Sequence, residues 1–131
     1  MLLNFNKLYL FIAFIFGLQG LLGATPEHPC KNILAKQKLS DAEITEVLQC
    51  AQDHMYQGSI KHLSEMICGV QGKIKENSFE EGQMLFYRGW FHAERGNMPE
   101  AKEDASRILE IIPRVGNKHQ ATMLKIYVLN I

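Results

Sequence analysis

The chain has 131 residues, of which 47% are hydrophobic, enough for a modest core. This length suits one domain. The 14 Lys and Arg residues are balanced by 14 Asp and Glu residues, and no basic stripe is present, which argues against a nucleic-acid partner.

The first 24 residues have the composition of a secretory signal peptide. Lys7 is the only charged residue before an apolar run at 8–18, and small residues follow up to Ala24. We therefore predict that residues 1–24 are cleaved and that the protein is exported, either secreted or periplasmic, with no stable membrane span afterwards. The alternative is an uncleaved N-terminal membrane anchor, since about 20 residues suffice to span a bilayer. Gln19 interrupts the run and favours cleavage.

Residues 25–39 are predicted to be a mobile lead-in that becomes helical near Ile33. Ser40, with Glu43 three residues later, forms a capping box that starts a helix. This helix has an apolar residue at every third or fourth position and should end at Gly58, since glycine accepts positive φ. The apolar positions are Ile44, Val47, Leu48, Ala51 and Met55.

Four more helices are predicted downstream. Ser59 can cap the second, which is closed near Asn77. The third starts near residue 79, with acidic residues in its first turn, and ends at Gly96. The fourth has Pro99 in its first turn and stops before the next proline. The last is predicted over 118–129.

Five helices with short connections and no alternating strand pattern predict an all-α fold. We expect a short stack of antiparallel helix hairpins over residues 40–131.

Small residues and turn formers recur through the stretch 82–115. Gly89 lies in the third helix, Gly96 in the turn after it, Ala101 in the fourth helix, and Pro113 just beyond that helix. This pattern resembles the tetratricopeptide repeat (TPR), a helix-turn-helix of about 34 residues in which such positions carry small residues, a glycine and a closing proline. Small residues let two helices approach closely.

The resemblance implies a TPR-like α-solenoid with one clear repeat. The last helix, which begins after Gly116, follows in register as a half-repeat, and the hairpin that turns at Gly58 is a degenerate one.

In this family the first helices of each pair line a concave groove that binds other proteins or peptides. Phe86, Trp90 and Glu94 are four residues apart, so they share a helix face, and aromatic side chains anchor many interfaces. The alternative is that Phe86 and Trp90 pack into the core of so small a stack. The resemblance assigns the groove to Gln83, Phe86, Trp90, Ala93, Glu94, Gln120, Leu124 and Tyr127.

The sequence has three cysteines, an odd number for an exported chain in an oxidising compartment. Cys50 and Cys68 are nearly equidistant from the turn at Gly58, so antiparallel helices would bring them to the same height. We predict a Cys50–Cys68 disulfide, which would close a loop of about 18 residues and stabilise the hairpin by about 3 kcal/mol. Two buried free thiols, or a pairing of Cys30 with either cysteine, remain open.

Catalytic and metal sites are not indicated. Cys50 and His54 share a helix face, but no CxxC or HxxxH pair accompanies them. His92 has no neighbouring nucleophile and is interpreted as a structural histidine with its hydrogen bonds satisfied. The carboxylates of the fourth helix, including Asp104, are interpreted as solvated. No cofactor is expected.

We therefore expect an exported, non-enzymatic module that docks a protein or peptide. The alternative is a small disulfide-stabilised secreted effector or inhibitor whose helices are only a scaffold, and an enzyme or a metal protein is the weakest candidate. The apolar C-terminal end, which includes Tyr127, Leu129 and Ile131, either packs back on the core or associates with another molecule, such as a second copy of the chain.

Overall fold

A computed structural model of the protein describes residues 31–131. The predicted signal peptide, the start of the lead-in and Cys30 lie outside the described residues, so export stays a prediction. None of the described helices combines the length and the apolar character needed to cross a membrane.

The described residues form six α-helices and one 3₁₀ helix and contain no β-strand, which confirms the all-α fold. The five predicted helices are all present, and one short helix precedes them. The elements are α1 (Lys31–Leu34), α2 (Asp41–Gln57), α3 (Ile60–Val70), α4 (Phe79–Glu94), α5 (Met98–Ile111), the 3₁₀ helix (Ile112–Arg114) and α6 (Lys118–Val128).

The α2–α3 hairpin begins with the predicted capping box. The Glu43 amide donates to Ser40 Oγ at 3.2 Å, and the Ser40 amide donates to the Glu43 carboxylate at 3.1 Å. The chain turns at Gly58, whose φ of 72° favours a residue without Cβ. Ser59 makes no side-chain capping bond to α3, contrary to prediction, and its hydroxyl lies 2.7 Å from His62 Nδ1 instead.

α3 ends earlier than predicted, at Val70. Gly72 has a φ of 80°, which a right-handed helix does not contain, so the chain leaves the helix before Asn77. Ser78 then caps α4 by accepting a hydrogen bond from the Glu81 amide at 3.2 Å.

The α4–α5 hairpin turns as predicted at Gly96, where φ is 76°. Pro99 lies in the first turn of α5, where its missing amide hydrogen costs no helical bond. α5 ends at Ile111, and Pro113 belongs to the 3₁₀ helix that follows.

The helices form two layers around one core. α2, α4 and α6 lie side by side in the first layer. In the second layer, α3 packs against α2 and α4, while α5 packs against α4 and α6. The apolar side chains between the layers supply the main stabilisation. The largest of them that are fully buried are Tyr87, Leu48, Leu63, Met66, Ile108, Ile111, Leu124, Val47 and Val70.

Residues of the predicted lead-in pack with the domain. Ile33, Leu34 and Leu39 lie against the core cluster. Leu34 fits against Gly69 so closely that a Cβ added to the glycine would lie 2.1 Å from Leu34 Cδ2. α1 is therefore a docked part of the stack.

The C-terminal end packs partly on the core, one of the two predicted alternatives. Ile131 lies against Gly89, where an added Cβ would be 3.1 Å from Ile131 Cδ1, and Tyr127 also packs against the core. Ile126 and Leu129 stay outside, with 52% and 85% of their surface exposed.

Candidate functional site

The predicted groove residues lie on α4 and α6, which are neighbours in the first layer. The structure divides them into core residues and surface residues. Phe86 is 7% exposed and Leu124 is fully buried. The Phe86 ring stacks on Tyr127, with 4.5 Å between the ring centroids and 7° between the planes. For Phe86, the structure favours the core interpretation that the sequence left open.

Leu124 is buried because α6 approaches α4 at a glycine. A Cβ added to Gly82 would lie 2.4 Å from Leu124 Cδ2, so any larger residue at this position would displace Leu124. The leucine therefore holds the two helices together, and its side chain is out of reach of a partner.

The remaining predicted residues form an accessible patch. Glu94 is exposed, whereas Gln83, Trp90, Gln120 and Tyr127 are partly exposed. Trp90 and Tyr127 each pack one side against the core. This arrangement fixes their rings, so a partner that covers them would lose little side-chain entropy on binding.

One tyrosine on α2, which the groove prediction omits, adds exposed aromatic surface to the first layer. Tyr56 is 75% exposed, and its hydroxyl lies 3.5 Å from the Gln52 side-chain amide. Tyr87 is almost completely buried, and this burial raises its pKa; the charges of Tyr127, Tyr56 and Asp53 add to the rise.

We call a set of seven accessible side chains on α2, α4 and α6 the first-layer face. It consists of Asp53, Tyr56, Gln83, Trp90, Glu94, Gln120 and Tyr127. Tyr56 could have been found from the sequence, because it follows the buried Met55 on a first helix of the stack. The groove prediction covers only the third and the last predicted helix.

On the other side of α4, two ion pairs fix α5. Asp104 is 3% exposed, and both its oxygens accept hydrogen bonds from Arg88 Nε, at 3.1 and 3.0 Å. The hydrogen bonds that Arg88 donates to Asp104 raise the pKa of Arg88. Arg107 on α5 similarly donates to Glu81 at 3.1 Å and to Asn77 at 3.1 Å.

The interpretation of Asp104 as a solvated carboxylate was therefore wrong. The cause is the small residue opposite, because a Cβ added to Gly89 would lie only 3.4 Å from Asp104 Cβ. Gly89 lets α5 come close enough to bury Asp104, and the buried carboxylate then requires Arg88 as its partner.

The predicted Cys50–Cys68 disulfide is also wrong, because Cys68 has a free and exposed thiol. Equal height on two helices does not ensure that side chains face each other. Successive helical residues are rotated by about 100°. Ile67 is buried in the interface and Cys68, one residue later, points away from it. The pairing of Cys30 with another cysteine involves a residue outside the described part.

Among residues 31–131, no group of three or more His, Cys, Asp or Glu side chains is arranged to hold a metal ion. His92 differs from its predicted role, because its Nδ1 is buried without a hydrogen-bond partner among the described residues. The chain around it turns at Gly96, and the His92 carbonyl, not its ring, accepts the capping bonds of the turn.

No family model, curated protein or solved structure matches this chain. The functional argument therefore rests on the residues and their geometry.

Proposed function

We propose that this protein is an exported, non-enzymatic interaction module that docks a protein or peptide partner on a TPR-like scaffold. The first-layer face is the observation that carries the proposal. Trp90 and Tyr127 are held by the core beneath them and stay partly accessible, and Tyr56 is exposed beside them on the first layer. Tyrosine and tryptophan with one packed side and one open side are enriched at protein interfaces.

The TPR-like scaffold is supported by the glycine and alanine positions of α4 and α5. Gly89 faces Asp104 at close range, Ala101 is fully buried, and Gly96 has the positive φ of the turn. These are the physical roles that the resemblance assigns to the same residues.

Site-specific photo-cross-linking tests the proposed face. A benzoylphenylalanine residue is placed at Tyr56 or at Gln120 in the full chain, which is expressed in the cells that naturally produce it, and compared with the same residue at Ser106 and Leu109. The control positions are exposed on the second layer. We expect the same discrete adduct from both first-layer positions and none from the controls. Adducts from all four positions, or from the controls alone, would contradict the proposal.

The second candidate is a small disulfide-stabilised secreted effector or inhibitor, and the state of the cysteines supports it. Cys50 is disulfide-bonded, whereas Cys68 is free. The third cysteine, Cys30, lies outside the described residues, and its pairing with Cys50 is the alternative that the sequence left open. In this case the helices serve as a scaffold, and substitutions on the first-layer face would leave the biological activity intact.

Self-association through the C-terminal end is a further part of the proposal. Ile126 and Leu129 are on α6 or directly after it and present apolar surface to solvent. Replacing both residues with lysine should shift the protein towards the monomer in light scattering at high concentration. A wild-type protein that is already monomeric under the same conditions would contradict self-association.

A further inference from the structure

A groove opens between α3 and α5 in the second layer, away from the first-layer face. Its volume is about 350 Å³, near the lower end of the roughly 300–1,000 Å³ that ligand pockets span. The groove exists because α3 and α5 scarcely touch each other, although both pack on α4. Phe91 and His92 of α4 form its floor. A space of this size admits one long side chain with a short stretch of backbone.

The α5 side of this α3–α5 groove carries two carboxylates that make no hydrogen bond or salt bridge within the described part of the chain. Glu100 and Glu103 line it, and both are exposed. The third carboxylate of the lining, Asp104, is already paired with Arg88.

The charge balance of the groove lining is negative, and it stays negative when Arg95 is included. Arg95 lies over the Phe91 ring, 5.5 Å from its centroid, and is the second guanidinium beside the floor after Arg88. These two positive charges face the three carboxylates of Glu100, Glu103 and Asp104. One negative charge remains, so a singly charged cationic group complements the site.

The floor also offers an unused hydrogen-bonding atom. His92 Nδ1 is buried and has no partner among residues 31–131. Buried polar atoms are nearly always paired, and leaving one unpaired lowers stability. In the tautomer with the proton on Nε2, this nitrogen accepts a hydrogen bond. The atom lies beneath the groove surface, so an N–H donor of an occupant reaches it only after the His92 ring rotates.

We propose that the α3–α5 groove binds the side chain of an arginine in a basic segment of a partner polypeptide. The planar guanidinium has five N–H donors and can pair with the exposed carboxylates of Glu100 and Glu103 together. A lysine ammonium is compact and does not combine these contacts. The groove lies in the second layer, away from the first-layer face. Arginine binding can therefore be disproved while the proposed function holds, and the proposed function can be disproved while arginine binding holds.

NMR titration of the purified ¹⁵N-labelled protein tests this inference. The probe is acetyl-arginine-amide, and the control ligand is acetyl-citrulline-amide, which has the same shape without the charge. We expect saturable shifts that cluster at the amides of Cys68, His92 and Glu103, with no comparable shifts from citrulline. Glu100→Gln combined with Glu103→Gln should weaken binding about fivefold.

The matched control variant is Glu65→Gln combined with Glu76→Gln. Both residues are exposed and outside the groove, and the control changes the net charge by the same amount. It should leave binding unchanged. The Cys68 thiol gives a second readout, because an occupied groove should slow its alkylation. Equal weakening by both double variants, equal binding of citrulline, or shifts spread over all exposed carboxylates would each overturn the proposal.

Discussion

The α4–α5 hairpin and the α2–α3 hairpin are held together by different forces. Between α4 and α5, the buried Asp104 pairs with Arg88, and Arg107 pairs with Glu81. These charge-assisted bonds have a defined geometry, so they fix the register of the two helices as well as their distance.

Between α2 and α3 the packing is mainly apolar. Val47 and Leu63 are fully buried, and the His54 and His62 rings lie 5.0 Å apart. The predicted disulfide is not formed across this hairpin. Apolar packing tolerates conservative exchange better than a buried ion pair tolerates the loss of one member. We therefore expect α4–α5 to be the more sensitive hairpin, and it is also the one with the clear repeat pattern.

The largest expected effect is in a thiol count, in which one cysteine should be labelled completely and another not at all. Iodoacetamide added to the native protein without reductant should label Cys68 fully and Cys50 not at all, because Cys68 is free and exposed while Cys50 is disulfide-bonded. Peptide mass mapping measures the sites. Cys68→Ser should abolish labelling without changing the melting temperature. Resistance of Cys68 to labelling in the native protein would indicate a Cys50–Cys68 disulfide between α2 and α3 and would contradict this prediction.

The second prediction removes one member of the buried ion pair. Arg88→Met should lower the free energy of unfolding by about 3 kcal/mol, because the Asp104 carboxylate would be left buried without its counter-charge. Urea unfolding followed by circular dichroism measures it. Arg88→Met combined with Asp104→Leu should recover most of the loss, since the uncompensated charge is gone. A single variant as stable as the wild type would mean that Asp104 is solvated after all.

The third prediction concerns the close approach of α4 to its first-layer neighbour. In Gly82→Ala, the new Cβ would displace the buried Leu124, at a cost of about 1–3 kcal/mol. The gain in helix propensity of about 1 kcal/mol offsets part of it. We expect a net loss of about 1 kcal/mol in urea unfolding. Gly116→Ala is the control, because nothing lies within 4 Å of its added Cβ; a loss of equal size there would refute the packing argument.

The smallest effect is expected at the start of α2. Glu43 lies in the first turn of this helix. Its hydrogen bond with Lys36 is the main cause that lowers its pKa, and its hydrogen bond with the Ser40 amide lowers the pKa further. The carboxylate therefore contributes stability above its ordinary pKa of 4.5 and loses it as the pH falls through the lowered value. In Glu43→Gln, which can keep a capping box, this part of the acid dependence should disappear from melting curves between pH 5 and pH 2. Identical curves for variant and wild type would contradict it.

The local features of this fold could be predicted from the sequence, and the long-range ones could not. Ser40, Gly58 and Gly96 act through their own backbone or through residues three or four positions away, so short patterns reveal them. The partner of Asp104 depends on how closely two helices approach, which is set by Gly89 on another helix. The thiol of Cys68 was misplaced for the same reason, since height along a helix was known and helical phase was not used.

For the candidate site too, the sequence indicates which residues share a helix face but not how neighbouring helices pack on them. Trp90 and Tyr127 are partly exposed on the first layer, whereas the burial of Phe86 and Leu124 depends on packing between α4 and α6. Periodicity identifies the residues that share a face. It does not show which of them the neighbouring helix covers.

The central claim is that the first-layer face binds a partner. The most direct measurement is the affinity for the polypeptide cross-linked from Tyr56, determined by calorimetry for two exposed single variants. Tyr56→Ser, on the first layer, should weaken binding about tenfold, a loss of about 1.4 kcal/mol, as expected for an interface aromatic. Leu109→Ser, which removes a 55% exposed apolar side chain from α5, should bind like the wild type. Equal affinities for the two variants, with unchanged melting temperatures, would contradict the account.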